Sequence, residues 1–465
     1  MRIELYEGLQ SPAALAAALG AVAEPIGAPP SAVTGAATDS REVRHGDLFV
    51  ALAGEHTDGA RFIGDALRRG AAAVLTRPDA PVPRGDFWHY AVASPEKALL
   101  TAAARRRRES EAFVIAVTGS SGKTTVKEAI ATLLGGVPHS AGNFNSTVGM
   151  PLSVLRFPDA PYWVAELGIN HAGEMEPMAK ALAPDLAVVT NVGTAHIGLF
   201  GSREILIEEK CRIAAGLGKD GSLLLPDDLP IPAFLAPSGG VFRVGTTEAA
   251  DFRAENIVMG QKGVRCDLRG RGRVITNLAW PIPGRVGVSV IALVGAVGVL
   301  LDRTDDEIRA GLLRAGAETP RMRQVRLGDV LLLDDTYNAS PESMTAALEI
   351  LGYLAGDRPR VAVLGDMLEL GDFSRVLHET VGKYAVGAGL SALYTYGAAA
   401  ASIAEGAARA GMPPKRIHRF TQGEENALVK ALSGQLEHPC AILFKASHAM
   451  RLDLVVKTLE GSDEK

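Results

Sequence analysis

The sequence predicts an α/β protein of three domains, with a central parallel sheet carrying a phosphate-type loop and a C-terminal doubly wound αβ domain. Three observations predict it. The chain has 465 residues, the length of about three ordinary domains. Short apolar runs alternate with helical patterns through the middle of the chain and again through its end, as parallel strands joined by crossover helices do. One of these runs, FVIAV from Phe113, opens into GSSGKTT and then a helical stretch.

The first domain is read as residues 1–108. It mixes short strands such as DLFVAL with helical stretches such as ARFIGDALRRGAAAVL, and it ends in TAAARRRRES. The run Arg105–Arg108 is read as a solvated helix end before a domain junction. The second domain is read as residues 109–315. Its strands are EAFVIAV, YWVAELG, DLAVVTNVG and GSLLLP. A β-rich insert is expected from VFRVGTTEAADFRAENIV to GRVITNLAWPIP, after which PIPGR leads into a helix. That helix contains VSVIALVGAVGVLLD, which is too short for a membrane span and reads as a buried core helix. The third domain is read as residues 316–465, with DVLLLDDTY, RVAVLGDM, ALYTYG and CAILFKAS as its strands and a doubly wound arrangement.

Composition narrows the function classes. Hydrophobic residues make up 47% and charged residues 22%, which fits a globular protein with a substantial core. A formal net charge of -5 gives no support to a general nucleic-acid binder, yet leaves room for a local basic pocket. Cys211, Cys266 and Cys440 show neither metal-ligand spacing nor a disulfide framework. The start MRIELYEGLQ does not resemble a signal peptide. A cytoplasmic protein without a membrane span is expected.

The stretch TGSSGKTT departs from the common G-x-x-x-x-G-K-[ST] loop, because only Ser120 and Ser121 separate Gly119 from Gly122. Its position between an apolar strand and a helix still suits phosphate. Backbone N–H groups at a helix start face anions, helped by the helix dipole. Lys123 can reach terminal phosphates and Thr124 can ligate Mg²⁺; Thr125 continues the loop into the helix. Glu166 and His196 each follow a predicted strand, where ligands of open parallel sheets sit. A carboxylate and an imidazole there can supply part of an octahedral Mg²⁺ shell.

The short-spaced loop resembles that of the Mur ligase superfamily of ATP-dependent amide-bond ligases. AELGINHAGEM and TNVGTAHIGLFGS are similar to segments that supply Mg²⁺ ligands at Glu166 and His196. GNFNSTVGMP resembles a substrate-contacting segment, with Asn143 and Asn145 in matching positions and Ser146 where a further asparagine is usual. The resemblance implies a carbamylated lysine at Lys210, a further Mg²⁺ ligand, and two Mg²⁺ ions. DSREVRHGDLFVALAGEHTDGARFIGDALRRGAAAVL resembles a uridine-nucleotide-binding domain, which makes Asp39, Ser40 and Arg41 candidate substrate contacts and the first domain a UDP-sugar-binding one.

LLLDDTYNASPESMTAALEIL and VAVLGDMLELGDFSRVLHETVG resemble the type that adds D-alanyl-D-alanine to UDP-N-acetylmuramoyl-tripeptide (MurF type). By that resemblance Asp335 bonds the ATP ribose, Arg321 approaches phosphate, and Asn338 lines the nucleotide site. Ser343, Lys445 and Ser447 lie on the substrate side, although Ala446 and His448 replace the usual glycine and arginine of the last motif. The implied reaction runs through an acyl phosphate, on a monomer. The match weakens at GRVGVSVIALVG, where Val286, Gly287 and Val290 stand in place of an imidazole and two amides of the adenine-holding segment. The alternatives are a related amide ligase with a different acceptor, or a non-catalytic nucleotide-binding paralogue.

Overall fold

The computed structural model describes residues 1–54, 57–194, 197–319 and 321–461. Three sheets organise the chain. The first has six strands in the order Arg2–Glu4, Gly35–Ala37, Asp47–Val50, Ala73–Thr76, Phe87–Ala91 and Ala23–Ile26. Its inner strands are parallel and wholly or largely buried, so they read as apolar runs rather than alternating ones. Helix Pro95–Arg108 closes this region. It starts where Ser94 accepts a hydrogen bond from the Lys97 N–H and a proline occupies the first turn, both favoured start signals.

The arginine run at the end of that helix is not a solvated end. Arg106 is buried; its guanidinium lies 3.8 Å from the Tyr6 ring centroid and 5.0 Å from that of Trp163. It donates to the Phe157 carbonyl at 3.1 Å and to Asp159 at 2.7 Å. Arg107 donates to the carbonyls of Leu182 and Ala183 and to Asp185. A planar, weakly hydrated guanidinium stacks on rings and keeps its bonds when buried. The run therefore bolts the N-terminal part to the central one, while Arg105 pairs with Glu109 near the surface.

The central sheet has eight strands in the order Arg273–Trp280, Gly263–Gly270, Phe252–Gly260, Val241–Gly245, Ser222–Pro226, Leu186–Val189, Phe113–Thr118 and Tyr162–Glu166. From Tyr162–Glu166 to Phe252–Gly260 the pairing is parallel; the last two strands are antiparallel. The expected β-rich insert is thus an extension of the same sheet. The strand Phe113–Thr118 lies between Leu186–Val189 and Tyr162–Glu166, so the chain leaves it toward opposite sides. That is a topological switch point, where a crevice opens at the carboxyl ends.

Helix Arg285–Leu300 has twelve of its sixteen residues buried, packed among Leu268, Leu133 and Ile308. Among the described residues no helix is long and apolar enough to cross a membrane.

The third sheet runs Arg323–Leu327, Val330–Asp334, Ala441–Lys445, Arg360–Gly365, Ala392–Tyr396 and Ile417–Phe420, parallel apart from its first pair. One apolar cluster continues from Ile130 and Val264 of the central part to Leu348 and Leu351 of the C-terminal part. The two are therefore packed together, and the carboxyl-end crevice of the central sheet faces the start of helix Pro341–Ala355.

Candidate active site

The loop from Gly119 to Gly122 joins strand Phe113–Thr118 to helix Lys123–Leu133. Gly122 begins the helix at φ +75°, and a Cβ there would meet nothing within 4 Å. Only glycine holds that conformation without strain, and the open space in front of it suits a ligand approaching the backbone. The loop is held from the side by residues after strand Leu186–Val189. The Asn191 amide accepts from the Ser121 N–H and donates to the Ser121 carbonyl and Oγ, each at 3.0 Å. Thr190 Oγ1 donates to the same carbonyl at 2.6 Å, and the Gly193 N–H donates to Ser120 Oγ at 3.1 Å.

Glu166 ends strand Tyr162–Glu166 and is only 2% exposed. Its carboxylate accepts from Thr124 Oγ1 at 3.0 Å and from Asn145 Nδ2 at 2.7 Å. The Lys127 ammonium is 3.6 Å away and donates to the Ser140 carbonyl at 2.7 Å. A buried carboxylate needs such partners. Thr124 and Glu166, placed far apart in sequence, thus share one spot beside the loop. A hydroxyl and a carboxylate are hard oxygen donors and fit Mg²⁺. His196 lies outside the described residues. Among the described residues no group of three or more histidine, cysteine or acidic side chains could hold a metal ion by itself, so an ion beside Thr124 and Glu166 would draw on phosphate oxygens and water as well.

Two lysines meet at one carbonyl of the loop. Lys123 Nζ donates to the Gly119 carbonyl at 2.9 Å, and Lys210 Nζ donates to the same carbonyl at 3.2 Å. Lys210, at the end of helix Arg203–Cys211, is buried. Burial, then the charge of Lys123, pushes its ammonium well below the ordinary 10.5, against the opposing pull of Glu209. Lys123 is lowered as well, by burial and by Arg321, with Glu166 acting in the other direction. Arg321, from the C-terminal part, is thus near enough for its charge to act on Lys123.

Arg321 stacks 3.9 Å over the Tyr337 ring. Asp335 holds Lys445 at 2.5 Å, and Lys445 also donates to the Asn338 carbonyl at 2.8 Å. Asn338 Oδ1 accepts from the Ala339 N–H. Ser343 is occupied in the cap of helix Pro341–Ala355, exchanging hydrogen bonds with Ser340. Ser447 accepts from the Leu368 N–H at 3.0 Å.

The remaining sequence candidates lie apart from this cluster or turn inward. Asn143 is exposed, and Asn145 donates to Glu166. Asp39 caps its turn and grips the Arg41 guanidinium. Arg41's hydrogen bonds hold the Asp39 carboxyl down at about 2, while the Arg41 side chain stays 83% exposed. Ser40 is buried. Sequence reading missed Asn191, Lys127 and Ser140. Asn191 could have been found from its place two residues beyond a buried strand end, but Lys127 reads as an ordinary helix lysine.

Three family models match in order: "Mur ligase family, catalytic domain" over residues 32–111, "Mur ligase middle domain" over 117–298 and "Mur ligase, glutamate ligase domain" over 320–448. The UDP-N-acetylmuramoyl-tripeptide–D-alanyl-D-alanine ligase of Bacillus subtilis is 33% identical over 432 residues, 92% of this chain and 93% of that one. The chain belongs to the Mur ligase family, in its UDP-N-acetylmuramoyl-tripeptide–D-alanyl-D-alanine ligase branch. The Escherichia coli ligase of the same name is 36% identical, over 77% of this chain and 80% of its own. Among solved Mur ligases, MurF from Acinetobacter baumannii superposes with a TM-score of 0.85 at 26% identity, covering 99% of both chains. MurF from Thermotoga maritima in complex with ADP gives 0.77 at 28%, over 92% of this chain and 97% of that one.

This Mur ligase has a local peculiarity at the start of helix Arg285–Leu300. Val290 is buried. A Cβ on Gly287 would press on the Ile282 carbonyl and Val264. Only Val286, 38% exposed, keeps a surface. The missing amides are thus positions the fold has turned into packing.

Proposed function

We propose that this Mur ligase joins D-alanyl-D-alanine to UDP-N-acetylmuramoyl-tripeptide at the expense of ATP. One observation carries the reading: Lys123, Lys210, Thr124 and Glu166 converge on one short glycine loop, with Arg321 of the C-terminal part brought to bear on it. The tripeptide's terminal carboxylate attacks the γ-phosphorus and ADP leaves, giving an acyl phosphate. The free amine of the dipeptide attacks that carbonyl, loses a proton, and phosphate departs.

Phosphoryl transfer is catalysed mainly by positioning and by charge placed where charge develops. The loop N–H groups from Gly122 to Thr124 and the Lys123 ammonium supply both. Arg321, whose charge acts on Lys123, is read as a second cation for the phosphates. Asp335 is read as the ribose contact, held in place by Lys445.

Thr124 and Glu166, with His196, are the residues read as holding Mg²⁺, which would polarise the terminal phosphate. Lys210 is read as carbamylated. Its depressed basicity leaves the amine neutral, so that it can capture carbon dioxide with loss of one proton and become an anion beside Lys123, able to serve a second Mg²⁺. Asp39, Ser40 and Arg41 are read as the uridine-nucleotide side, and Asn143 as a substrate contact. The enzyme is read as a cytoplasmic monomer.

The chemistry is tested with tripeptide carrying heavy oxygen in its terminal carboxylate. Attack by that carboxylate moves one labelled oxygen into the released phosphate. Unlabelled phosphate in the presence of product would remove the acyl phosphate from the account.

A further inference from the structure

Glu342 sits in the first turn of helix Pro341–Ala355, yet its carboxylate does not cap that helix; the Ser340–Ser343 pair does. It reaches instead into the central part. Oε1 accepts from the Thr194 N–H at 2.6 Å and from the Thr194 hydroxyl at 2.8 Å. Among the described residues Oε2 is buried with no hydrogen-bond partner. The approach needs Gly193, because a Cβ there would run into the carboxyl group. A buried carboxylate oxygen without a donor is unfavourable, so packing alone is a poor account of this side chain.

What Glu342 grips is the segment that braces the phosphate loop. The Gly193 N–H donates to Ser120 Oγ, the Ser120 N–H donates to the Asn191 carbonyl, and the Asn191 side chain holds Ser121. Glu342 belongs to the same helix start that follows Asp335, Tyr337 and Asn338. Hydrogen bonds joined by short stretches of backbone therefore connect the Asp335–Asn338 segment to the loop.

We propose that Glu342 is a positioning residue: through Thr194 it sets the register of Arg321, Asp335 and Lys445 over the phosphate loop. This deepens the functional reading above and rests on it for the nucleotide, but not for the contact between the two parts.

The test uses the full chain in three forms: Glu342→Ala, Glu342→Gln, which keeps an acceptor oxygen for Thr194, and Thr194→Val. ADP affinity is measured by calorimetric titration with Mg²⁺ present. Hydrogen bonds to a charged acceptor are strong enough for Glu342→Ala to weaken ADP by about tenfold. Glu342→Gln should stay within about threefold of the parent. Thr194→Val should add nothing to Glu342→Ala, because both act on one contact.

In parallel, spin labels at Lys219→Cys and Lys415→Cys, both exposed surface positions on the two parts, report the distance between them without ligand; the native cysteines are buried. A single narrow distance in the parent that broadens in Glu342→Ala supports the proposal. An unchanged distance distribution, or unchanged ADP affinity in Glu342→Ala, overturns it. A parent chain that binds no ADP overturns the nucleotide reading instead, and the distance measurement then decides the positioning role by itself.

Discussion

Replacing Lys127 with methionine should destabilise the central sheet more than any surface change and should do so through Glu166. The Lys127 side chain is fully buried. Its ammonium is 3.6 Å from the Glu166 carboxylate, 3.7 Å from Glu128 and 2.7 Å from the Ser140 carbonyl. At an effective dielectric constant of about 20, a pair at that separation attracts by about 4–5 kcal/mol before desolvation. Removing one member of a buried pair costs about 3–5 kcal/mol, because the other charge is left uncompensated. Glu166 keeps its bonds from Thr124 and Asn145, which argues for the lower end, about 3 kcal/mol. Urea unfolding followed by tryptophan fluorescence is the assay, since Trp163 and Trp280 both lie in the central sheet. Adding Glu166→Gln to Lys127→Met should recover at least half of the loss. A single variant within about 1 kcal/mol of the parent, or a double variant no better than the sum of its parts, would refute the reasoning.

Other outcomes follow from the same geometry. Gly287→Asn, which restores an amide usual in related enzymes, should lower stability by about 1–3 kcal/mol through overpacking against Val264 and the Ile282 carbonyl, with no gain in ATP affinity. Calorimetry and ATP titration check both halves. Arg41→Ala should leave the unfolding midpoint nearly unchanged, as exposed pairs contribute little, while raising KM for the uridine-nucleotide substrate. An unchanged KM would remove Arg41 from the binding site.

Lys210 gives a pH signature. Its folded-state basicity lies below the ordinary 10.5, so between that lowered value and 10.5 the unfolded chain binds the extra proton. Stability of the unmodified protein should therefore rise with pH across that window and fall as pH drops through it. Lys210→Met should flatten that part of the unfolding profile.

The strand–loop–helix of the phosphate site was legible because its signals are local: a buried apolar strand, a glycine turn, and a lysine with threonine at a helix start. The alternation of apolar runs likewise announced the parallel parts of the second and third sheets. The β-rich segment after Val241 was legible as strands but not as a continuation of the central sheet, since edge pairing is decided by distant residues. The arginine run misled because charge counts alone do not show a stacking partner as far away as Tyr6 or Trp163. The contacts of Asn145 and Lys127 with Glu166 were not legible for a similar reason. Their roles exist only where the fold brings them to Glu166, and the same holds for Glu342 and Thr194, separated by 148 positions.

The most direct test of the central claim is phosphate release from ATP by purified protein with Mg²⁺, UDP-N-acetylmuramoyl-tripeptide and D-alanyl-D-alanine, omitting each in turn. The account predicts release that requires both peptide partners, with the pentapeptide product detected by mass. Folded protein that binds ATP but releases no phosphate with both partners present would contradict it.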